Sequence, residues 1–322
     1  LKLKGMKEKK ILNTTTILLL LDTIKNNNYM KAFVFPGQGS QFQGMGHELY
    51  KSSDKVKSLF NIADEILGFK LSKIMFEGSS NELRQTNVTQ PAIFLHSIAE
   101  LILLEENQSP VAVAGHSLGE FSALVANKTI SFEDGLKLVF LRANAMQKSC
   151  ENSKGTMAAI LGLDDKLVKE TCENFDGNVI AANFNCPRQV VISGEVNAIE
   201  NICEKFNEIG AKRSLILPVS GAFHSSLMNE AKSELKQALD NTEFNQPSCP
   251  IYQNFTSTKT TNLDEIKENL NNQLTSPVLW TQSIDNMIND GVLNFIEVGP
   301  GKVLQGLIRK INREASTESA LS

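Results

Sequence analysis

The chain has 322 residues, 41% hydrophobic and 21% charged, which is enough apolar mass for one large domain or two smaller ones and excludes a disordered chain. A net charge of -4 and a pI near 5.7 leave no global basic footprint. Nucleic acid or an anionic membrane as principal partner is thereby excluded, and any basic docking site is restricted to a local patch.

Five scattered cysteines, Cys150, Cys172, Cys186, Cys203 and Cys249, include no C-x-x-C pair. Neither a disulfide framework nor a zinc site is expected, and a reducing, cytoplasmic compartment fits. Residues 1–29 are rich in Lys and Asn and hold a short apolar run, Ile17 to Leu21, closed at once by Asp22. That run is too short to span a membrane. The segment is expected to be an upstream or disordered extension, with the fold opening at Met30.

Residues 32–35 read as a strand that ends in PGQGSQFQGMG. A dinucleotide fingerprint fails here, because the third required glycine falls on Phe42 and no acidic residue follows a second strand at the βαβ spacing. Loop glycines instead let backbone N–H groups come close to a ligand. Helical spacing then predicts helices over 48–67 and 91–105.

Residues 111–114 form a strand running into GHSLG, with a helix over 120–126. Strand, G-x-S-x-G and helix are the context in which a sharp turn lifts a serine hydroxyl clear of its backbone. Ser117 is therefore a candidate nucleophile, the alternative being a serine in a tight turn. Ser131 with Asp134 makes a capping box for a helix reaching about Cys150. Within it Arg142 follows the apolar run Leu138 to Leu141, so its guanidinium either snorkels to the surface or is buried against an anion.

Beyond Gly155 the pattern changes to a strand over 157–163, a helix over 165–175, strands over 179–184 and 190–193, a helix over 196–209 and a strand over 214–219. That β-α-β-β-α-β order is the ferredoxin-like unit. Helices over 226–239, 263–274 and 280–289 and a buried strand over 293–298 follow. The expected fold is α/β: a parallel-sheet, α/β-hydrolase-like large subdomain over 30–153 and 220–312, with an inserted ferredoxin-like small subdomain over 154–219. The polar tail over 313–322 is expected to fray.

A serine nucleophile needs a base within hydrogen-bond reach, and the chain has four histidines. His116 adjoins Ser117 and leaves the turn in another direction, His96 lies in an apolar helix, and His47 is a helix-start residue. His224, in PVSGAFHSSLM at the junction of the two subdomains, remains. For a carboxylate to orient that base, Glu297 at the end of its strand is the attractive candidate, although it can equally pair elsewhere.

The segments FVFPGQGSQ, TQPAIF, GHSLGEFSAL, NFNCPRQVVISG, PVSGAFHSSLM, QLTSPVLWTQSI and EVGPGKVLQGL, in this order between Met30 and about Ile311, resemble the malonyl-CoA:acyl carrier protein transacylase family of type II fatty acid synthesis. The resemblance implies that Ser117 carries the malonyl group as an ester and that His224 is the base. It implies an amide carbonyl, at Gln273, in place of the usual triad acid. Backbone N–H groups of Gln38 and Leu118 would form the oxyanion hole, and Arg142 would bind the malonyl carboxylate. His116, Asn183, Asn185 and Phe223 would line the substrate cleft, Phe223 leaving little room for an α-methyl group. The implied partners are malonyl-CoA and an acyl carrier protein that docks on Lys302, Arg309, Lys310 and Arg313. The resemblance implies no metal or redox cofactor; a monomer is expected from the absence of any coiled-coil or repeat signal. A serine hydrolase using the same Ser117 and His224 is the nearest competing reading.

Overall fold

The computed structural model describes residues 30–104 and 108–321, so the expectations for residues 1–29 and for a helix end at Glu105 lie outside the described residues. In chain order the first half runs β1 (Lys31–Phe35), α1 (His47–Ser52), α2 (Asp54–Leu67), α3 (Leu71–Glu77), α4 (Thr86–Leu103), β2 (Ala112–Gly115), α5 (Gly119–Ala126) and α6 (Phe132–Asn152). Next come β3 (Gly155–Leu161), α7 (Asp165–Glu173), β4 (Val179–Cys186), β5 (Gln189–Glu195), α8 (Val196–Glu208) and β6 (Arg213–Ile216). The last part is α9 (Asn229–Asp240), β7 (Ile251–Tyr252), β8 (Lys259–Thr260), α10 (Leu263–Gln273), α11 (Trp280–Asn289), β9 (Asn294–Glu297), α12 (Val303–Ile311) and β10 (Ser316–Ser319).

These strands make two sheets. One has the order β10-β9-β1-β2-β7-β8 and is parallel except for β8; the other, β4-β5-β3-β6, is antiparallel throughout. The period of two along β1 and β2 explains how the first sheet is covered on both faces. Phe33, Phe35 and Val113 enter the larger core with residues of α2, α4, α5 and α6, while Ala32, Val34, Ala112 and Ala114 face a second core built on Trp280, Ile284, Leu304 and Ile308. Small side chains on that second face leave room for the fully buried Trp280. A third core lies between the antiparallel sheet and α7 and α8, around Val168, Ile199, Ile202 and Phe206.

The segment between α10 and α11 ties the two sheets: the Val278 N–H donates to Ala182 O at 2.8 Å and its carbonyl accepts the Phe184 N–H at 2.9 Å, both in β4, while the Leu279 N–H donates to Asn254 O just after β7 at 3.0 Å. Parallel pairing of β1 with β2 sets Phe35 beside Gly115 and places the loop after β1 next to the turn after β2. Ligands of open α/β sheets bind at such carboxyl ends.

Three expectations are corrected. The helix over 48–67 is two helices, broken at Ser53, whose extended backbone (φ -157°) and side chain cap α2 by accepting the Lys55 N–H. The single helix over 226–239 begins as a short 3-10 turn, Ser226–Met228, before α9. The polar tail does not simply fray: Ser316–Ser319 add β10 to the edge of the sheet, parallel to β9. Its backbone satisfies β9, the Ser316 N–H donating to Leu293 O and the Ala320 N–H to Glu297 O, so pairing there needs no apolar alternation for periodicity to detect. The two-residue strands β7 and β8 were too short to carry a pattern.

Close approach of α5 to the end of β1 fixes one glycine. A Cβ on Gly119 would lie 2.1 Å from Phe35 O. Gly119→Ala is expected to lower unfolding stability by about 1–3 kcal/mol or more through overpacking. Gly306→Ala, inside α12 with nothing within 4 Å, is expected to raise it by about 0.5–1 kcal/mol. Urea midpoints of the two variants against the native chain check both signs.

Candidate active site

Ser117 stands in the turn between β2 and α5 with φ 51°, a left-handed conformation for a residue with a side chain. Such a backbone costs about 1–3 kcal/mol and persists only where its surroundings over-determine it. The turn is tight enough that a Cβ on Gly115 would lie 1.9 Å from the Gly119 carbonyl carbon. His224, reached from β6 by a short crossing back to the large sheet, is also left-handed, with φ 58°. The structure brings the two together: Ser117 Oγ lies 2.8 Å from His224 Nε2.

On the far side of the ring, His224 Nδ1 lies 2.8 Å from the main-chain carbonyl oxygen of Gln273. A carbonyl can only accept, so Nδ1 carries the proton and Nε2 is left to accept from the serine hydroxyl. The carbonyl at Gln273 is thus the main-chain one. Glu297, the candidate acid, instead caps α12 by accepting the N–H groups of Leu304 at 2.9 Å and Gln305 at 3.1 Å. Burial pulls the His224 pKa down to about 3, helped by the Arg142 guanidinium, while the Gln273 carbonyl opposes the shift.

Arg142 is 1% exposed, which overturns the snorkelling alternative. Nor is it buried against a contacting anion. Its Nη1 donates to Gln90 Oε1 at 2.7 Å, and its Nη2 donates to Gln273 Oε1 and to Ser117 Oγ, both at 3.0 Å. The Nε atom, fully buried, has no hydrogen-bond partner. Three bonds from five N–H groups leave the Nε–H and one Nη1–H unused. Burial lowers the arginine pKa to about 10, and the buried Glu120 carboxylate acts against that shift.

These groups surround a cavity of about 60 Å³, lined also by Gln38, Gln90, His116, Leu118, Met146, Met157 and Phe223. It has room for a few water-sized groups, which suits a short acyl unit and not a long chain. Among the described residues, the backbone N–H groups of Gln38 and Leu118 have no protein acceptor. His116 Nε2 lies 2.8 Å from Asn185 Oδ1 and its ring packs against Trp280. Burial lowers its pKa. Asn183 is buried in β4 but is not among the cavity residues, and Asn185 touches the site only through His116. His96 is buried and paired with Glu100 at 3.1 Å, and His47 is half-exposed beside Glu48.

Sequence reasoning missed Met146 and Met157, which have no signal beyond membership of an apolar helix and a strand, and Gln90, which stands in the TQPAIF segment just before the helix expected over 91–105 and within α4 as observed. It also missed Glu120, although this residue directly follows the G-x-S-x-G motif. A larger surface cavity of about 730 Å³ lies between α7 and β4 and holds none of the site residues. Among the described residues, no cluster of three His, Cys, Asp or Glu side chains is placed to hold a metal ion, and no helix is long and apolar enough to cross a membrane.

A strained serine on a strand-to-helix turn, bonded to a buried imidazole, defines a serine acyl-transfer site. The family model for the acyl transferase domain matches residues 32–321. The chain is 46% identical over 290 residues to the malonyl CoA-acyl carrier protein transacylase of Bacillus subtilis, covering 89% of this chain and 92% of that protein. It is similar to the crystal structure of the acyl-carrier-protein S-malonyltransferase of Bartonella henselae, with TM-score 0.87, 39% identity and coverage of 91% of this chain and 96% of that one. It is similar also to a malonyl-transacylase solved in complex with a type II PKS acyl-carrier protein, with TM-score 0.85, 36% identity and coverage of 90% and 94%. The chain belongs to the malonyl-CoA:acyl carrier protein transacylase family of acyl transferases.

Burial and the adjacent guanidinium both disfavour an imidazolium at His224, so this histidine is expected to remain neutral at pH 5, below the ordinary pKa of 6.5. An NMR titration of the imidazole signals, with His224→Gln to assign the resonance, checks it; protonation near 6.5 would contradict the buried geometry.

Proposed function

We propose that the protein transfers the malonyl group of malonyl-CoA to the phosphopantetheine thiol of an acyl carrier protein of fatty acid synthesis, through an ester on Ser117. The observation that carries this reading is Arg142, a buried cation 3.0 Å from the serine oxygen with donors to spare. An acyl group bearing a carboxylate satisfies it. An acetyl group leaves its charge without a counter-anion and its spare donors unmet, a loss of about 2–5 kcal/mol.

Ser117 Oγ attacks the thioester carbonyl while His224 Nε2 takes its proton. The N–H groups of Gln38 and Leu118 hold the oxyanion, the second at the first turn of α5. The carbon–sulfur bond then breaks, and the imidazolium returns its proton to the departing CoA sulfur. The carrier's thiol repeats these steps in the opposite direction, giving its proton to His224 and releasing Ser117. Phe223, packed at the cavity wall, narrows the room for an α-methyl group, and His116 and Asn185 line the approach, with Asn183 farther along β4.

In this reading the six-stranded sheet is the core of an α/β-hydrolase-like large subdomain and the four-stranded sheet is a ferredoxin-like insert, with the site at their junction. Residues 30–153 and 220–312, with β10 added at the sheet edge, form the first and 154–219 the second. The reaction needs no cofactor, nucleic acid or membrane and takes place in the cytoplasm. One copy of the chain supplies every group named, which fits a monomer. Lys302, Arg309, Lys310 and Arg313 offer a local basic surface to an acidic carrier. Arg309 is held by Thr317 of β10 at 2.7 Å and Lys310 by Gln189 at 3.3 Å, so the patch joins elements of both sheets.

Intact-protein mass after brief incubation with malonyl-CoA is expected to show one malonyl adduct on the native chain, little adduct from acetyl-CoA, and none on Ser117→Ala. CoA release without an adduct would favour a hydrolase. Charge reversal at Lys302 and Arg313 is expected to raise the KM for the carrier severalfold while leaving the rate of Ser117 malonylation unchanged; an unaltered carrier KM would remove the docking assignment.

A further inference from the structure

The serine turn has a support that the transfer steps do not use. Glu120, three residues after Ser117, is fully buried and does not line the cavity. One carboxylate oxygen accepts the main-chain N–H of Asn254, and the other lies 3.5 Å from Gln253 Nε2. Asn254, also fully buried, follows β7 and meets the turn with both ends of its amide. Its Nδ2 donates to Gly115 O at 2.7 Å, and its Oδ1 accepts the Ser117 N–H at 2.6 Å. The amide orientation has no alternative, because the carbonyl can only accept and the N–H can only donate.

These bonds bracket the two peptide units before Ser117 Cα. Gln273 Nε2 holds the next one by donating to Ser117 O at 3.1 Å. Side chains from two later segments therefore grip every peptide that sets the left-handed φ of Ser117. The grip also consumes the Ser117 N–H, leaving the Leu118 N–H as the donor at the start of α5.

We propose that Asn254 and Glu120 are positioning residues for the nucleophile: the Glu120 carboxylate fixes the segment that carries Asn254, and the Asn254 amide holds Ser117 in the turn that aims Oγ at His224. The proposal rests on Ser117 being the nucleophile. Burial pushes the Glu120 carboxyl up to about 7 against the pull of its hydrogen-bond donors and of Arg142, so an acid in this place is costly to keep. A role in holding the turn accounts for its position.

Two labelling rates test the idea: malonylation of Ser117 by malonyl-CoA, and phosphonylation of Ser117 by a fluorophosphonate, which needs no acyl recognition. Asn254→Ala is expected to slow both at least tenfold, while malonyl-CoA affinity, compared by calorimetry between Ser117→Ala and Ser117→Ala/Asn254→Ala, stays within twofold. Glu120→Gln is expected to slow both rates less, and Glu120→Gln/Asn254→Ala to be no slower than Asn254→Ala alone, because Glu120 acts through Asn254. Circular dichroism and the melting temperature establish folding; if Asn254→Ala does not fold, Asn254→Ser takes its place.

Native rates in the Asn254 variant, a loss of rate matched by a loss of affinity, or additive effects in the double variant would overturn the proposal. Phosphonylation that follows the expected pattern in a chain that malonyl-CoA does not label would uphold the positioning role and remove the malonyl reading. Absence of both labels at Ser117 in the native chain would remove both readings.

Discussion

A guanidinium with 1% exposure is costly to keep, and much of the site follows from the need to keep Arg142 there without neutralising it. Its contacting partners, Gln90, Gln273 and Ser117, are all neutral acceptors. Glu120, the acid that acts on it electrostatically, is held by the main chain of Asn254 and makes no direct ion pair with it. The same constraint explains the missing triad carboxylate. An aspartate beside His224 would stand within reach of the guanidinium and pair with it, closing the site to an incoming carboxylate. A main-chain carbonyl orients the imidazole and carries no net charge.

The chain assembles these groups from segments far apart in sequence. Parallel pairing of β1 and β2 brings the Gln38 loop to the serine turn, α6 carries Arg142 beneath it, and the end of α10 offers Gln273 by both its side chain and its main chain. His224 arrives from the antiparallel sheet, so its distance to Ser117 depends on how the two sheets are fixed. The Val278 hydrogen bonds to β4 supply that fixation directly beside the α10 end. Gln273 lies five residues earlier, so one short segment both locks the sheets together and orients the base.

Local order made part of this legible. The Ser117 turn was readable because its requirements, two glycines and a strand-to-helix change, are all contained within eight residues. His224 was readable by elimination, since few histidines compete and only one lies at a junction. Arg142 was not decidable from its neighbours: Leu138 to Leu141 surround a snorkelling side chain and a buried one alike, and only the tertiary contacts with Gln90 and Gln273 separate them. Glu120 and Asn254 are 134 residues apart, and no periodicity links them. In the fold, β1 and β2 showed themselves by apolar runs, whereas β10 is held by backbone pairing with β9 and by polar side-chain bonds such as Arg309 to Thr317, and has a polar sequence indistinguishable from a tail.

The depressed pKa of His224 bears on how an acyl-enzyme of this kind would survive until its acceptor arrives. A base that rests neutral throughout the physiological range is ready to accept a proton from either nucleophile, so its resting protonation state cannot distinguish a thiol from water. The distinction has to be spatial. A cavity of about 60 Å³ bounded by Phe223, Met146 and Met157 is small enough for a short acyl group to fill. On the proposed reading the acyl carboxylate is drawn onto Arg142 within that cavity, which Gln38 and His116 also line. A thiol arm delivered by a docked carrier is then held beside His224 by the carrier's own binding energy, while a water molecule gains no binding energy to hold it in that place. On that reading, transfer in preference to hydrolysis follows from the same buried cation that is proposed to select the acyl group.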